Sequence, residues 1–270
     1  MTHATQTRAF RARYARYGPW AVIAGASAGL GAAYAEQLAA AGLHLVLVAR
    51  RSAELEALAA ALRERHGVEA RTLPLDLAQP DAAATLDQQT ANVDVGLLVY
   101  NAARAPVGSF LDLSLDEHAA ELAVNVHTPM ELVWRFGRRF SARGHGGVIL
   151  MSSLSANQGS ALVSNYAATK AYTLVLAEGL WEEWRARGVD VLAVQPAVIA
   201  TPSSGQSGAT TQTPEAVARA ALAALGSGPS VTPGAAVKLA SVFMRRVMPR
   251  ASAIRMMGRV MRQMYSGGAS

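Results

Sequence analysis

The chain has 270 residues, 51% of them apolar and 16% charged, with no uninterrupted apolar run of about 18 residues, so a buried core is feasible and a membrane span is not expected. It contains no cysteine, which removes disulfides and thiolate metal sites. Its basic N-terminus also lacks the apolar stretch of a secretory signal, so a cytoplasmic location is expected. The net charge of +6 suits an anionic ligand, but the charge gathers in the first 16 residues and between Arg245 and Arg262, without a helix-turn-helix, zinc or RNA-binding signature, and nucleic acid is not an expected partner.

Along the chain, short apolar runs alternate with longer stretches of helical period, the pattern of a parallel sheet covered on both faces. Strands are predicted at Trp20–Ala24, Leu43–Ala49, Glu69–Leu73, Val95–Val99, Val148–Met151 and Val189–Val194. Helices are predicted at Leu30–Ala41, Ala53–Arg65, Asp81–Ala91, Leu115–Arg139 and Tyr166–Arg187, and the fold resumes with Pro214–Leu225. The fold class is therefore α/β: a Rossmann-like, doubly wound parallel sheet in a single domain over residues 1–270. Residues 1–18 or so form an N-terminal extension, and about 235–270 a helical C-terminal one. Thr201–Thr213, rich in Ser, Thr, Gly and Gln, reads as a mobile loop. Ala235–Tyr265 carries apolar residues at helical spacing, interrupted by Pro249 and studded with arginines.

The segment WAVIAGASAGLGAAYAEQL sets Gly25, Gly29 and Gly31 between the first strand and the first helix. Glycines there let the backbone turn sharply and approach a pyrophosphate, whose charge meets the N–H groups and positive end of the helix. A tight turn without a ligand is the plainer alternative. After the second strand come Arg50 and Arg51, where a dinucleotide site selects its ribose. An acidic residue there binds the 2′-hydroxyl of NAD, whereas arginine gives the 2′-phosphate of NADP a forked, charge-assisted partner. NADP is thus the expected cofactor, against the alternative that both arginines are solvated charges opening a helix.

Tyr166 and Lys170 lie four apart on a helical stretch and so share a face, one turn apart. An ammonium beside a phenol favours phenolate and lowers its pKa toward the range useful for general acid–base catalysis. The chain has 25 Lys+Arg residues, of which only Lys170 and Lys238 are lysines, so the expected number of chance Tyr-x-x-x-Lys pairs is roughly 0.05. A chain that otherwise uses arginine keeps a compact ammonium here, where a planar guanidinium would not reach two hydroxyl partners.

With these motifs in order, the span from Trp20 to Leu225 resembles the short-chain dehydrogenase/reductase family, in its single-domain branch. AGASAGLG (24–31) resembles the family's TGxxxGxG loop, with Ala24 for the leading threonine. The resemblance implies cofactor contacts from Gly25, Ser27, Ala28, Gly29, Leu30 and Gly31. LDL (75–77) supplies Asp76 for the adenine amino group beside Leu77. YNAA (100–103) stands for NNAG, matching at Asn101 and Ala102 and departing at Tyr100 and Ala103. VN offers Asn125, and MSSLS offers Ser153, 13 residues before the tyrosine. QPAVIAT resembles PGxVxT, with Ala197 for glycine, and implies that Ile199 and Thr201 hold the nicotinamide carboxamide.

The resemblance further implies that Ser153 polarises a substrate carbonyl and Tyr166 transfers the proton. Lys170 would bind the nicotinamide ribose while depressing the tyrosine pKa, and Asn125 would hold a water linking Lys170 to solvent. Ser152, the neighbour most easily confused with Ser153, is expected to bond to backbone. The six histidines show no metal spacing and are read as surface or packing residues; no metal is expected. The expected activity is NADPH-dependent reduction of a ketone or aldehyde, or the reverse oxidation of an alcohol, on a hydrophobic small molecule such as a fatty-acyl, steroid-like or aryl ketone. The alternative, a catalytically silent NADP-binding sensor or scaffold, is disfavoured by the complete set Asn125, Ser153, Tyr166 and Lys170. The family's habit of pairing its long helices implies a homodimer or homotetramer. The basic tail is read first as packing or a lid, then as an oligomer contact, and last as a membrane-surface segment.

Overall fold

The computed structural model describes residues 14–197, 199 and 211–265. Every predicted strand forms: β1 (Trp20–Ala24), β2 (His44–Ala49), β3 (Ala70–Pro74), β4 (Val95–Tyr100), β5 (Gly146–Met151) and β6 (Val189–Val194). A short β7 (Ser230–Val231) joins them, too brief to show any period in sequence. The helices are α1 (Gly29–Ala40), α2 (Ser52–His66), α3 (Ala82–Gln89), α4 (Leu115–Leu122), α5 (Thr128–Arg143), α6 (Ser164–Trp184), α7 (Pro214–Ala224), α8 (Ala235–Arg246) and α9 (Arg250–Tyr265). The seven strands run in the order β3-β2-β1-β4-β5-β6-β7, all paired in parallel. The winding reverses between β1 and β4, and ligands of such sheets bind in the crevice beyond the strand ends at that point.

The strands are apolar throughout because both faces are covered. Along β1, Ala21 and Ile23 enter one core with Tyr34 and Leu38 of α1, Leu55 of α2 and Leu222 of α7. Trp20, Val22 and Ala24 point to the other core, with Leu86 of α3, Phe136 of α5 and Leu174 of α6.

The single helix expected over Leu115–Arg139 is three pieces: α4, a π turn at Ala123–His127, and α5, which runs on to Arg143. One extra residue in a turn leaves the apolar period almost unchanged, so sequence does not show it. The Tyr100 hydroxyl donates to the Val124 carbonyl at 2.6 Å inside the widened turn. The start of α4 is fixed by a capping box between Ser114 and Glu117. In the tail, α8 and α9 part around Pro249, the expected interruption. Of the expected Thr201–Thr213 loop, residues 201–210 lie outside the described residues; Gln212 makes an isolated bridge to Ile199.

The helix that carries Tyr166 and Lys170 meets α5 at Gly137, where an added Cβ would stand 2.3 Å from the Trp184 ring of α6. Overpacking of this kind costs about 1–3 kcal/mol. Gly137→Ala is therefore expected to lower the thermal unfolding midpoint by a few degrees, and an unchanged melt would show that the ring yields freely.

Candidate active site

A cavity of about 470 Å³ opens at the β1/β4 switch point, lined by Gly25, Ser27, Arg50, Arg51, Asp76, Leu77, Asn101 and Ala102 among others. Gly25 adopts φ +85, and a Cβ on it would lie 2.6 Å from the Ala102 nitrogen; one on Gly31 would lie 1.9 Å from the Gly25 carbonyl. The loop thus closes only with glycine, leaving its backbone open to a ligand. Asn101 secures it by donating from Nδ2 to the Gly25 carbonyl at 2.9 Å. The N-cap of α1 is Ala28, which brings no side-chain acceptor, and the first turn holds no acidic residue. The first-turn N–H groups, including those of Gly29, Leu30 and Gly31, are therefore not capped by a side chain, a donor set matched to a pyrophosphate. At the rim Arg51 donates to the Ser27 hydroxyl at 2.9 Å and pairs with Glu54 at 3.0 Å, while Arg50 also lines the cavity. Asp76 accepts from the Ala78 N–H at 3.0 Å.

Beyond this cavity, the ends of β5 and α6 bring Ser153, Tyr166 and Lys170 together. Ser153 leaves β5 in extended backbone and its Oγ accepts from the Ser155 N–H at 3.2 Å. Its side chain also faces the Tyr166 phenol and acts to lower the phenol pKa. Burial is the larger effect and pushes the Tyr166 hydroxyl up to about 12, with the Glu121 and Tyr265 charges acting the same way. Lys170 is buried, sits 5.5 Å from the centre of the Tyr166 ring, and donates to the Met151 carbonyl at 2.8 Å. Burial lowers its ammonium to about 8, and the carboxylate of Glu121 opposes this. Ser152 takes the backbone role expected of it, donating to the Lys170 carbonyl at 2.8 Å.

Asn125 sits in the π turn, 2% exposed. Its Oδ1 accepts from the Arg104 N–H at 2.9 Å, and its Nδ2 donates to the Arg104 carbonyl at 2.7 Å and to Thr169 Oγ1 at 3.1 Å. Both amide protons are thus used within the protein. The side chain joins the loop after β4, which walls the first cavity, to the helix carrying Tyr166 and Lys170. Ile199 is placed by its bridge to Gln212, whose Oε1 also accepts from the Ala197 N–H at 3.2 Å; Thr201 lies outside the described residues.

Several contributors carry no signal in the sequence. Met151 and Arg104 act through backbone, and Thr169 through a hydroxyl that any helix might bear. Glu121 reads in sequence as an ordinary helical carboxylate; only its burial, at 1% exposed and four residues before Asn125, marks it as unusual. The tail also reaches the site. Asn157 donates to Ser241 of α8 at 3.1 Å, and Gly258 of α9 backs onto Ala161.

The sequence profile of the short chain dehydrogenase family matches residues 19–212. The chain is 36% identical over 188 residues to a 7beta-hydroxysteroid dehydrogenase of Collinsella aerofaciens, covering 70% of this chain and 72% of that one. It is 32% identical over 229 residues to a 7beta-hydroxysteroid dehydrogenase of Mediterraneibacter gnavus, covering 81% and 87%. Among solved structures, one from work on 7beta-hydroxysteroid dehydrogenase stereoselectivity superposes with a TM-score of 0.87 at 32% identity, covering 90% of this chain and 98% of that one. A short-chain dehydrogenase from Sphingobium yanoikuyae in complex with NADPH gives 0.75 at 30% identity, covering 83% and 92%.

Because a Cβ at position 31 collides with the Gly25 carbonyl, Gly31→Ala must displace the loop. It is expected to weaken dinucleotide binding by about tenfold or more, measured by quenching or transfer of nicotinamide fluorescence at a temperature where the variant is still folded, since the same clash also lowers its unfolding midpoint. Unchanged affinity would show that this loop does not cradle the ligand.

Proposed function

The chain belongs to the short-chain dehydrogenase family and is an oxidoreductase acting on CH–OH and C=O groups, and from that premise we propose that it reduces a bulky hydrophobic ketone of the steroid class with NADPH. The observation that carries this is the grouping of the Ser153 and Tyr166 hydroxyls with the buried Lys170 ammonium beside a glycine-walled, arginine-rimmed cavity. Bound NADPH supplies the hydride. Gly25 and the start of α1 receive its pyrophosphate, Asp76 and Leu77 its adenine, and Ile199 and Thr201 its carboxamide. Arg50 and Arg51 receive the 2′-phosphate; NADPH and NADP complexes among the similar structures support that choice.

A substrate carbonyl oxygen set between Ser153 and Tyr166 accepts from both hydroxyls, which stabilises the negative charge that develops as the carbon is reduced. Tyr166 then gives up its proton to the alkoxide. Lys170 would hold the ribose, and its ammonium, 5.5 Å from the ring centre, favours the phenolate that remains, while burial is the dominant effect and keeps Tyr166 protonated before the transfer. Asn125 fixes the Arg104 segment against α6, with both of its amide protons used within the protein. The steroid-class substrate rests on the names of the relatives. It also fits the exposed apolar side chains Val107, Phe110 and Leu111 in the β4–α4 loop.

The outer faces of α5 and α6 expose Met130, Trp134, Tyr172 and Val175, an apolar surface that suits pairing with a second copy. Trp184, by contrast, is core.

Tyr166→Phe is expected to cut NADPH-dependent ketone reduction by about 100- to 10,000-fold with cofactor affinity nearly unchanged; full activity would sink the mechanism. Replacing both Arg50 and Arg51 by alanine is expected to raise the KM for NADPH about tenfold or more and leave that for NADH little changed, and equal effects on the two would remove the 2′-phosphate role. With pH, reduction needs Tyr166 protonated and Lys170 charged. Its rate should hold through neutrality and fall above about pH 8 as Lys170 loses its proton, whereas alcohol oxidation, which needs phenolate, should rise with pH.

A further inference from the structure

Behind Tyr166 lies a small cavity of about 10 Å³ whose lining includes Phe110, His118, Glu121, Leu162, Asn165 and Tyr166. Two buried polar atoms in its wall have no protein partner: Nδ1 of His118 and Oε1 of Glu121. Both residues belong to α4, three apart and on one face, and are 8% and 1% exposed. Their other polar atoms are fixed. His118 Nε2 lies 3.0 Å from the Phe110 carbonyl, which can only accept, so Nε2 carries a proton. The Phe110 ring stacks on the imidazole at 4.3 Å between centroids. Glu121 Oε2 accepts from Asn165 Nδ2 at 2.7 Å. What remains is a bare imidazole nitrogen and a bare carboxyl oxygen facing one space of about the size that holds a single water, and unpaired buried groups of this kind are costly.

We propose that His118 and Glu121 share one proton across this cavity, bridged by one water, and act as a positioning pair for Tyr166 in the reaction. With the proton present the pair is neutral overall, whether written as imidazole and carboxylic acid or as imidazolium and carboxylate. Without it the pair carries one negative charge. The groups facing Glu121 are His118 on its own helix, Arg104 from the β4–α4 loop, and Asn165, Tyr166 and Lys170 from α6; its charge raises the pKa of both Tyr166 and Lys170. Loss of the shared proton therefore holds Tyr166 as an acid and Lys170 as a cation to higher pH. Both effects favour carbonyl reduction over alcohol oxidation.

The kinetic side of the proposal rests on Tyr166 being the proton donor; the pairing does not. Glu121→Gln keeps an acceptor for Asn165 and a donor for His118 but removes the charge. In that variant the alkaline rise of alcohol oxidation is expected to move to lower pH by about one unit. In nitrogen-15 NMR of histidine-labelled protein, the Nδ1 resonance of His118 should also shift, because its partner changes from a carboxyl to an amide. An unmoved alkaline rise together with an unmoved Nδ1 resonance would overturn the proposal and leave Glu121 a packing residue. In the wild-type protein, Nδ1 of His118 should resonate as hydrogen-bonded, as an acceptor in the imidazole form or as a protonated donor in the imidazolium form, and a shift typical of an unbonded ring nitrogen would overturn the proposal even if the glutamine variant does not fold. If wild-type protein turns over no carbonyl, the functional reading fails while the imidazole spectrum still decides the pairing.

Discussion

The site depends on keeping an ammonium out of water. Lys170 is 3% exposed, and its Nζ is held by the Met151 carbonyl at the end of β5. Burying such a charge costs several kcal/mol after relaxation, and the depressed pKa of about 8 is that cost expressed on the proton. The fold offsets it with structure rather than with a directly paired carboxylate. The last turn of strand β5 points a carbonyl at the ammonium, Ser152 ties that strand to the backbone of Lys170 itself, and the Tyr166 ring lies against it. Where the first half of α6 sits, and so where the phenol sits, follows from these contacts.

A second constraint joins the two halves of the crevice. The glycine loop and the Tyr166 helix belong to different crossover units, and hydride transfer tolerates little error in their separation. Asn125 spans the gap with three hydrogen bonds, to both backbone groups of Arg104 and to Thr169. It reaches both because the π turn swings it inward, and that turn is supported by the Tyr100 hydroxyl on the Val124 carbonyl. Tyr100, which departs from the family's usual asparagine, thus has work in this protein that the usual residue would do differently.

Strands and helices were legible because each buried strand is a short apolar run and each covering helix an amphipathic or alanine-rich stretch. Trp20–Ala24 and Val189–Val194 match to the residue. The glycine loop was legible because its glycines answer a backbone need, now seen as the approach of Gly25 to Ala102 and Gly31 to Gly25. The Tyr166–Lys170 pair was legible because lysine is so scarce. What escaped was whatever depends on one backbone group or one extra residue: the Met151 carbonyl, the Arg104 clamp, the π turn and the two-residue β7. Glu121 escaped for another reason. A carboxylate on a helix is ordinarily a solvated charge, and only burial against Asn165 and His118 marks it as part of the site.

The central claim is that this chain moves a hydride between NADPH and a hydrophobic ketone held between Ser153 and Tyr166. The most direct test offers the protein a steroid ketone with NADPH deuterated at one face or the other of nicotinamide C4, and reads the product by mass spectrometry. Deuterium should reach the carbinol carbon from one face only. Reduced product without deuterium from either face, or with it equally from both, would contradict the claim.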